Sequence, residues 1–176
     1  MIELPNWCEC ELDVWGPREE LSEFYLKAKW ITPEGNEEPL SLNNFVPMPK
    51  ELENTQSPPD KQNKELIKKY GADNWWDWCV TNWGSKWEIT DGAVNRSSLF
   101  HLEIDKNNRF RKLMYGFSTA WSPPEPVIKE MGKMFPKLKF KLQYWEGGMG
   151  FSGILVINKG KIIKNETYEY SGRKGG

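Results

Sequence analysis

The chain has 176 residues, with 24 Lys and Arg against 25 Asp and Glu, one His, three Cys and ten Trp. This length suits a single domain or two small subdomains. Apolar runs are only a few residues long, far short of the ~20 that cross a bilayer, and the first residues lack the charge pattern of a secretion signal. Three cysteines cannot complete a disulfide framework, so we expect a reduced, cytoplasmic protein with no membrane partner.

The near-zero net charge conceals an uneven distribution of charge along the chain. Residues 1–60 carry 4 basic and 13 acidic side chains, residues 61–126 carry 10 and 8, and residues 127–176 carry 10 and 4. The chain therefore has an acidic front and a basic back. DNA-binding domains are usually strongly basic throughout, so this balance disfavours that class of protein.

The first part of the chain predicts a strand, a helix and a second strand. Residues 8–14 alternate apolar with acidic side chains, as a half-buried strand does, and Gly16-Pro17 ends that strand. Apolar residues within 21–28 recur at helical spacing behind Pro17, which suits the first turn of a helix. Residues 40–45 predict a further short strand.

The middle of the chain is expected to hold two helices followed by two strands. Asp60 would cap the first helix, and Gly71 would end it. The second helix is expected to start at Asp73 or Asn74. Its predicted apolar face comprises Trp75, Trp76, Cys79, Val80 and Trp83. The strands predicted after it are residues 86–94 and 98–104.

The last third contains the clearest pattern. A strand over residues 113–121 leads to Ser122, which is expected to cap a helix started by two prolines. Pro136 ends that helix. Its predicted apolar face comprises Val127, Ile128, Met131, Met134 and Phe135. Residues 138–144 then alternate apolar side chains with Lys or Gln, and turns that contain glycine join this strand to two more.

These elements indicate a fold class. Few helices, segregated between strands that hairpins join, are typical of an α+β fold in which helices cover one face of an antiparallel sheet. We expect one domain over residues 1–176. The alternative is a division into 1–84, a part rich in strand and helix, and 85–176.

Five short stretches stand out in the order in which they occur. They are Pro5-Asn6-Trp7-Cys8 with Leu12, Val14 and Gly16; Phe45 to Leu52; Asn82-Trp83-Gly84-Ser85-Lys86-Trp87; Phe117 to Pro126; and Tyr144-Trp145-Glu146-Gly147 with Phe151 and Gly153. Together they resemble the uncharacterised YubB-like family, also called Api-ninety-two-like, which is found on phages, plasmids and integrated elements. The resemblance implies a ferredoxin-like C-terminal domain and a mobile-element origin, and it implies no established activity.

The patterns of common catalytic sites are missing from the sequence. His101 is the only histidine, and no Cys or His stands beside it at metal-ligand spacing. Residues 147–150 are rich in Gly but join two predicted strands, so a hairpin explains them better than a phosphate loop. We therefore predict no metal and no cofactor. Glu125 and Glu146 are the candidates for acid–base chemistry, which keeps a carboxylate-dependent hydrolase open as an alternative.

Two segments rich in Trp are the candidates for a binding site. Trp78 and Asn82 fall off the predicted apolar face of their helix, and Lys86 and Trp87 follow it. Indole faces beside an amide and an ammonium group suit stacking on a planar base and contact with a phosphate. Trp121 and Ser122 close a strand at its junction with a helix, where amide donors are free.

We predict that these residues form one partly exposed, concave surface. The predicted set is Trp78, Asn82, Lys86, Trp87, Trp121 and Ser122. Such a surface could hold a planar, anionic ligand or the side chains of a partner protein. The alternative is that the indoles belong to the core and that Ser122 is an ordinary helix cap.

The function expected from these observations is non-enzymatic binding. The family's setting suggests counter-defence, through a host defence protein or through sequestering of its nucleotide signal. A nucleic-acid-binding accessory protein is the other alternative, because Lys137, Lys139 and Lys141 share one side of a predicted strand. Charged solvent faces of antiparallel sheets are common, however, and edge lysines also oppose aggregation.

Overall fold

The computed structural model describes residues 6–89, 99–103 and 110–172. The strands are β1 (Trp7–Pro17), β2 (Trp30–Ile31), β3 (Glu37–Glu38), β4 (Leu99–Glu103), β5 (Phe110–Ala120), β6 (Lys139–Glu146), β7 (Phe151–Asn158) and β8 (Lys161–Glu169). The helices are α1 (Arg18–Ala28), α2 (Lys50–Glu53), α3 (Lys64–Tyr70), α4 (Trp75–Asn82) and α5 (Glu125–Met134).

Six strands form the main sheet, in the order β4-β5-β1-β6-β7-β8, and every neighbouring pair is antiparallel. Because β5 and β6 both run antiparallel to β1, they run parallel to each other on either side of it. Helix α5 connects them and so completes a split β-α-β unit around β1. The sheet thus takes strands from both sides of residue 84, and the proposed division at that residue stays a prediction.

One face of this sheet is covered by helices. Along β1 the residues from Cys8 to Val14 alternate between buried and half-buried, as predicted. Phe24 of α1 packs against Tyr115, Phe135 and Phe140, with ring centroids 5.4 to 6.1 Å apart. The prediction of an α+β fold with helices on one face of an antiparallel sheet is confirmed.

The last third forms the part of the core that the sequence predicted. The β6 residues Phe140, Leu142 and Tyr144 are buried, and Lys139 is exposed, so the predicted strand register is right. Helix α5 buries most of its predicted apolar face against this sheet. Met134 is an exception, since it lies exposed at the last turn.

A glycine in β7 makes room for a tyrosine ring. A Cβ atom added at Gly153 would lie 2.3 Å from the Tyr144 ring, which crosses directly above it. Tyr144 uses this position to donate a hydrogen bond to Glu125 and to meet the hydroxyl of Thr167, at 3.1 and 3.2 Å. Burial raises the pKa of Tyr144 to about 12.

We expect Gly153→Ala to destabilise the protein by roughly 1–3 kcal/mol, because the new methyl group must displace the Tyr144 ring and its hydrogen bonds. Gly116→Ala on β5 is the matched control, since a Cβ at that strand glycine meets no atom within 4 Å. Chemical denaturation of both variants measures the difference. Equal losses for the two variants would contradict the close approach at Gly153.

The strand predicted over residues 40–45 is wrong. Leu40, Leu42 and Phe45 are buried as the pattern suggested, but the segment is a loop. Its backbone amides bind a side chain instead of a neighbouring strand: the Glu88 carboxylate accepts from the amides of Leu42 and Asn43 at 2.7 and 2.6 Å. A buried apolar loop and a buried strand therefore share one sequence pattern here.

Two predicted helix caps are also wrong. Asn63, and not Asp60, caps α3 by accepting from the amides of Glu65 and Leu66, while Gly71 ends the helix as predicted. Ser122 does not cap α5, whose first residue is three positions further on. Its hydroxyl donates instead to another segment of the chain, as described below.

The region after α4 is only partly within the described residues. Residues 86–89 form no strand, and residues 90–94 of the predicted strand lie outside the described part. The predicted strand 98–104 is confirmed by β4. The side chain of His101 lies outside the described part of the chain.

Candidate functional site

Helix α4 begins at a tightly bonded cap. The Asn74 side chain accepts from the amide of Asp77 at 3.0 Å and donates to the Asp77 carboxylate at 2.7 Å. The side-chain NH₂ group of Asn74 also donates to the Asp73 carboxylate at 3.1 Å. The predicted helix start is therefore confirmed, and the cap fixes the direction of the first turn.

The apolar face predicted for α4 is right for Trp75, Cys79 and Trp83 and wrong for Trp76 and Val80. Trp78 is only 5% exposed and packs edge-to-face against Trp83 at 5.5 Å, whereas Trp76 is 40% exposed and Val80 is also exposed. The Trp83 indole N–H donates to the Val46 carbonyl at 2.7 Å, which anchors this side of the helix to the loop before α2. Because α4 has large apolar residues on most of its sides, spacing alone did not decide which side is buried.

A cavity of about 540 Å³ lies beside the first turn of α4, and we call it the tryptophan cleft. Its lining residues are Ser57, Pro58, Pro59, Asn74, Trp75, Trp76, Asp77, Lys86 and Trp121. Three indoles, one ammonium group and one carboxylate therefore share a concavity of the size that small-molecule ligands occupy.

Trp121 enters the cleft from an unusual backbone conformation. Its φ angle is 73°, in the left-handed region that bulky residues avoid at a cost of about 1–2 kcal/mol. The backbone amide of Trp121 donates to the Asn6 carbonyl at 2.9 Å, and the indole stays 37% exposed. Strain of this kind is concentrated at functional sites.

A set of short hydrogen bonds holds the two Trp-rich segments together. The Ser122 hydroxyl donates to the Gly84 carbonyl at 2.5 Å, and the Ala120 amide donates to the Ser85 hydroxyl at 3.2 Å. Gly84 has a φ of 79° and sits so close to Pro126 that a Cβ atom would lie 2.7 Å from its ring. The two segments that the sequence singled out are therefore neighbours in space.

Lys86 is positioned by an aromatic ring behind it. Its ammonium group lies 4.5 Å from the centroid of the Trp87 ring, and Trp87 in turn packs against Trp7 at 6.5 Å. Cation–π contact of this kind restrains a flexible lysine side chain. Lys86 thus lines the cleft with a side chain that is supported from behind.

The structure brings together only part of the predicted set. Lys86 and Trp121 line the cleft, Trp87 supports Lys86, and Ser122 joins the two segments. The other two predicted residues do not line it. Trp78 is buried, and the Asn82 amide donates to the Trp78 carbonyl at 2.9 Å within the helix.

Sequence reasoning missed Trp75, Trp76 and Asp77 as cleft residues. Consecutive residues of a helix point in different directions, so Trp75 and Trp76 could not both face one core. The sequence therefore already indicated that one of these two indoles points away from the core. The prolines at 58 and 59 had no comparable signal, because nothing local indicates what a loop packs against.

A second cavity, of about 300 Å³, lies beside the Glu88 carboxylate. Its lining residues are Trp30, Ser41, Asn43, Met48, Glu53, Trp83 and Glu88. Glu88 is buried, and besides the two amides of the 40–45 loop it accepts from the Ser41 hydroxyl at 3.0 Å and the Ile89 amide at 2.9 Å. Burial raises the pKa of Glu88, and the four donors oppose that shift.

The predicted lysine surface is largely engaged with the protein's own groups. Lys137 pairs with Glu20, and Lys139 lies 5.5 Å from the centroid of the Trp15 ring. Lys141 stands opposite Asp13 on the neighbouring strand. Two of the three lysines therefore already contact other groups of the protein.

The two candidate catalytic carboxylates belong to different hydrogen-bond networks. Glu125 accepts from Lys129 at 2.9 Å and from Asn165 at 3.2 Å, in addition to Tyr144. Glu146 is buried and accepts from the Gly148 amide at 2.6 Å. Within the described ranges, no three His, Cys, Asp or Glu side chains lie together as metal ligands.

The fold defines the class of this protein. An antiparallel sheet with a split β-α-β unit and helices on one face is a ferredoxin-like α+β architecture. Residues 100–174 match the family described as the ferredoxin-like domain in Api92-like protein. The predicted resemblance to Api-ninety-two-like proteins is confirmed over this part of the chain.

A solved structure shares this fold over nearly the whole chain. It is the crystal structure of a protein api92 from Yersinia pseudotuberculosis, with 9% sequence identity and a TM-score of 0.54. The similarity covers 96% of this chain and 99% of that one. No curated protein matches the sequence. No helix in the described ranges has the length and apolar character of a membrane span.

Proposed function

We propose that this protein is a non-enzymatic binding protein whose tryptophan cleft holds a planar, anionic ligand of the nucleotide type. The observation that carries this proposal is that Trp76 and Trp121, both exposed, line the same cavity as Lys86. The volume of the cavity, about 540 Å³, suits a ligand of that size.

The three kinds of lining group each suit a different part of the ligand. An indole face that stacks on a base contributes roughly 1–3 kcal/mol and tolerates any base. Lys86, supported by Trp87, attracts the phosphate. Asp77 accepts hydrogen bonds at the helix start, and its carboxylate suits a ribose hydroxyl or an exocyclic amine of the base.

The setting proposed for this activity is the cytoplasm of a bacterial host that carries a phage or mobile element. Cys8, Cys10 and Cys79 are buried thiols, which supports a reducing compartment. Of the two expected roles against host defence, a small-molecule cleft favours sequestering of a nucleotide signal over inhibition of a defence protein. The nucleic-acid and hydrolase alternatives are less well supported, because their candidate residues are held in internal contacts.

We expect Trp121→Ala and Lys86→Gln each to weaken nucleotide binding by about ten- to a hundredfold, since each removes one recognition contact. The probes are adenosine and guanosine monophosphates, their triphosphates and cyclic dinucleotides, titrated against intrinsic Trp fluorescence and checked by calorimetry. Free adenosine and inorganic phosphate separate the stacking contribution from the charge contribution.

Trp15→Ala is the matched control for these variants. Trp15 is also a half-buried Trp beside lysines, but it lies on β1 outside the cleft. Its loss should leave nucleotide affinity unchanged. If none of the nucleotides binds at millimolar concentration, or if Trp15→Ala weakens binding as much as Trp121→Ala, the cleft is not a nucleotide site.

A further inference from the structure

The last strand of the sheet has an open edge. β8 pairs with β7 on one side, and no strand of the described chain pairs with its other side. All nine of its residues are exposed, including the apolar Ile162 and Ile163, at 52% and 59%, and Tyr168, at 43%. A long edge strand with exposed apolar side chains is a ready template for pairing with another strand.

The charges of β8 are arranged antisymmetrically about its centre. Lys161 and Lys164 precede Asn165, and Glu166 and Glu169 follow it. A parallel copy of the strand would bring Lys beside Lys and Glu beside Glu, which is unfavourable. An antiparallel copy brings the basic half of each strand beside the acidic half of the other.

We propose that β8 pairs antiparallel with β8 of a second copy of this chain, about a two-fold axis at Asn165. Lys164 of each copy then faces Glu166 of the other, so the same ion pair forms twice. Lys164 and Glu166 stand opposite Val156 and Ile154 of β7, which places both charges on one face of the sheet. Within one copy they already lie 3.1 Å apart, so the interface joins two such pairs into a cluster of four charges.

The apolar residues fit the same arrangement. Between the pairs Val156–Lys164 and Ile157–Ile162 the register shifts, so Ile163 is an extra residue that bulges on β8. In the antiparallel pair, Ile162 and Ile163 of one copy lie alongside Thr167 and Tyr168 of the other. Apolar surface that is exposed in the single chain is thereby buried in the dimer.

Lysines and bulges on an edge strand ordinarily oppose pairing, because they meet like charges and interrupt the ladder. Here the alternation of sign excludes the parallel arrangement but favours the antiparallel one. The bulge lies on one side of the central residues, and the ladder around Asn165 stays regular. Two six-stranded sheets would then become one continuous sheet.

The test is the mass of the protein in solution, measured by light scattering and sedimentation from about 1 to about 200 µM. We expect a species of twice 20.6 kDa at the higher concentrations. Lys164→Glu and Glu166→Lys should each weaken the dimer at least about tenfold, because each sets like charges opposite one another. The double variant Lys164→Glu/Glu166→Lys should restore it.

A mixture of the two single variants gives the sharpest result. One variant then carries two Glu and the other two Lys at positions 164 and 166, so they should form a mixed dimer although neither dimerises alone. Lys133→Glu is the matched control, since Lys133 also belongs to an exposed ion pair but lies on α5. Circular dichroism checks that every variant is folded.

Three outcomes would overturn the proposed dimer. They are a wild-type chain that stays monomeric at about 200 µM, single variants that dimerise as the wild type does, and a mixture that forms no mixed dimer. β8 contributes no residue to the tryptophan cleft. Dimer formation and nucleotide binding therefore succeed or fail separately.

Discussion

Truncation of Phe140 to alanine is expected to destabilise the protein by ~3–5 kcal/mol. Phe140 is completely buried in β6, and its ring packs edge-to-face against Phe24 at 5.5 Å, where α1 meets the sheet. Removal of the ring leaves a cavity between the two layers that surrounding side chains fill only in part. Urea denaturation measures the loss as a lower midpoint at unchanged slope.

Lys139→Ala is the matched control, because Lys139 is the preceding residue of the same strand and points to the opposite face. Its free energy of unfolding should stay within about 0.5 kcal/mol of the wild type. A small loss at Phe140 together with a large one at Lys139 would mean that the register of β6 is shifted by one residue.

Glu88→Gln is expected to destabilise the protein by roughly 2–5 kcal/mol although it conserves size. Each carboxylate oxygen of Glu88 accepts two hydrogen bonds. Oε1 accepts from the amides of Leu42 and Ile89, and Oε2 accepts from the Ser41 hydroxyl and the Asn43 amide. The variant's NH₂ group cannot accept, so it leaves at least the Asn43 amide without its partner and brings two buried hydrogens that only the Ser41 hydroxyl can meet, at about 1–3 kcal/mol for each unmet group. Thermal and chemical denaturation both report this change.

The pH dependence of the same pair of proteins gives a second measurement. Because burial raises the folded-state pKa of Glu88, the folded protein holds that proton more tightly than the unfolded chain does. The contribution of Glu88 to stability therefore falls as pH rises from the unfolded pKa through the folded one. Because glutamine does not titrate, the difference in unfolding free energy between the two proteins, followed against pH, isolates the contribution of the Glu88 proton.

Glu53→Gln is the matched control for Glu88, since Glu53 lines the same cavity but is exposed. We expect its stability to stay within about 0.5 kcal/mol of the wild type at every pH. Should the two Gln variants behave alike, the 40–45 loop does not depend on the Glu88 carboxylate.

The sequence predicted best those elements in which one buried face accounts for the whole pattern of apolar residues. β6 alternates Lys or Gln with large apolar residues over its length, so only one register buries the apolar set. The cap of α4 was also predictable, because the Asn74 bonds are local. Patterns of this kind depend on neighbours within a few residues.

The errors arose where distant residues decide the structure. Glu88 binds the 40–45 loop from more than forty positions away, and it replaces the strand partner that the apolar pattern suggested. The Ser122 hydroxyl likewise bonds to Gly84 instead of capping its own helix. Only the fold reveals these partners.

The tryptophan cleft was predictable in part for the same reason. Lys86 and Trp121 were recognised because each stands at the end of an element, whereas Trp78 was misassigned because α4 offers several apolar sides. The loop at residues 57–59 completes the cleft from a distance. The position of the cleft was thus clearer from the sequence than its full lining.

The central position of β1 sets the order in which the sheet can form. Both strands that flank β1 lie far along the chain: β5 starts at Phe110 and β6 at Lys139. At a synthesis rate of ~5–20 residues per second, β1 therefore waits on the order of 6–25 s for its second partner. Until β5 has been synthesised, the apolar side of β1, including Cys8 and Cys10, has no neighbouring strand of the main sheet. Closure of the sheet depends on long-range pairing, which makes slow folding an intrinsic property of this topology.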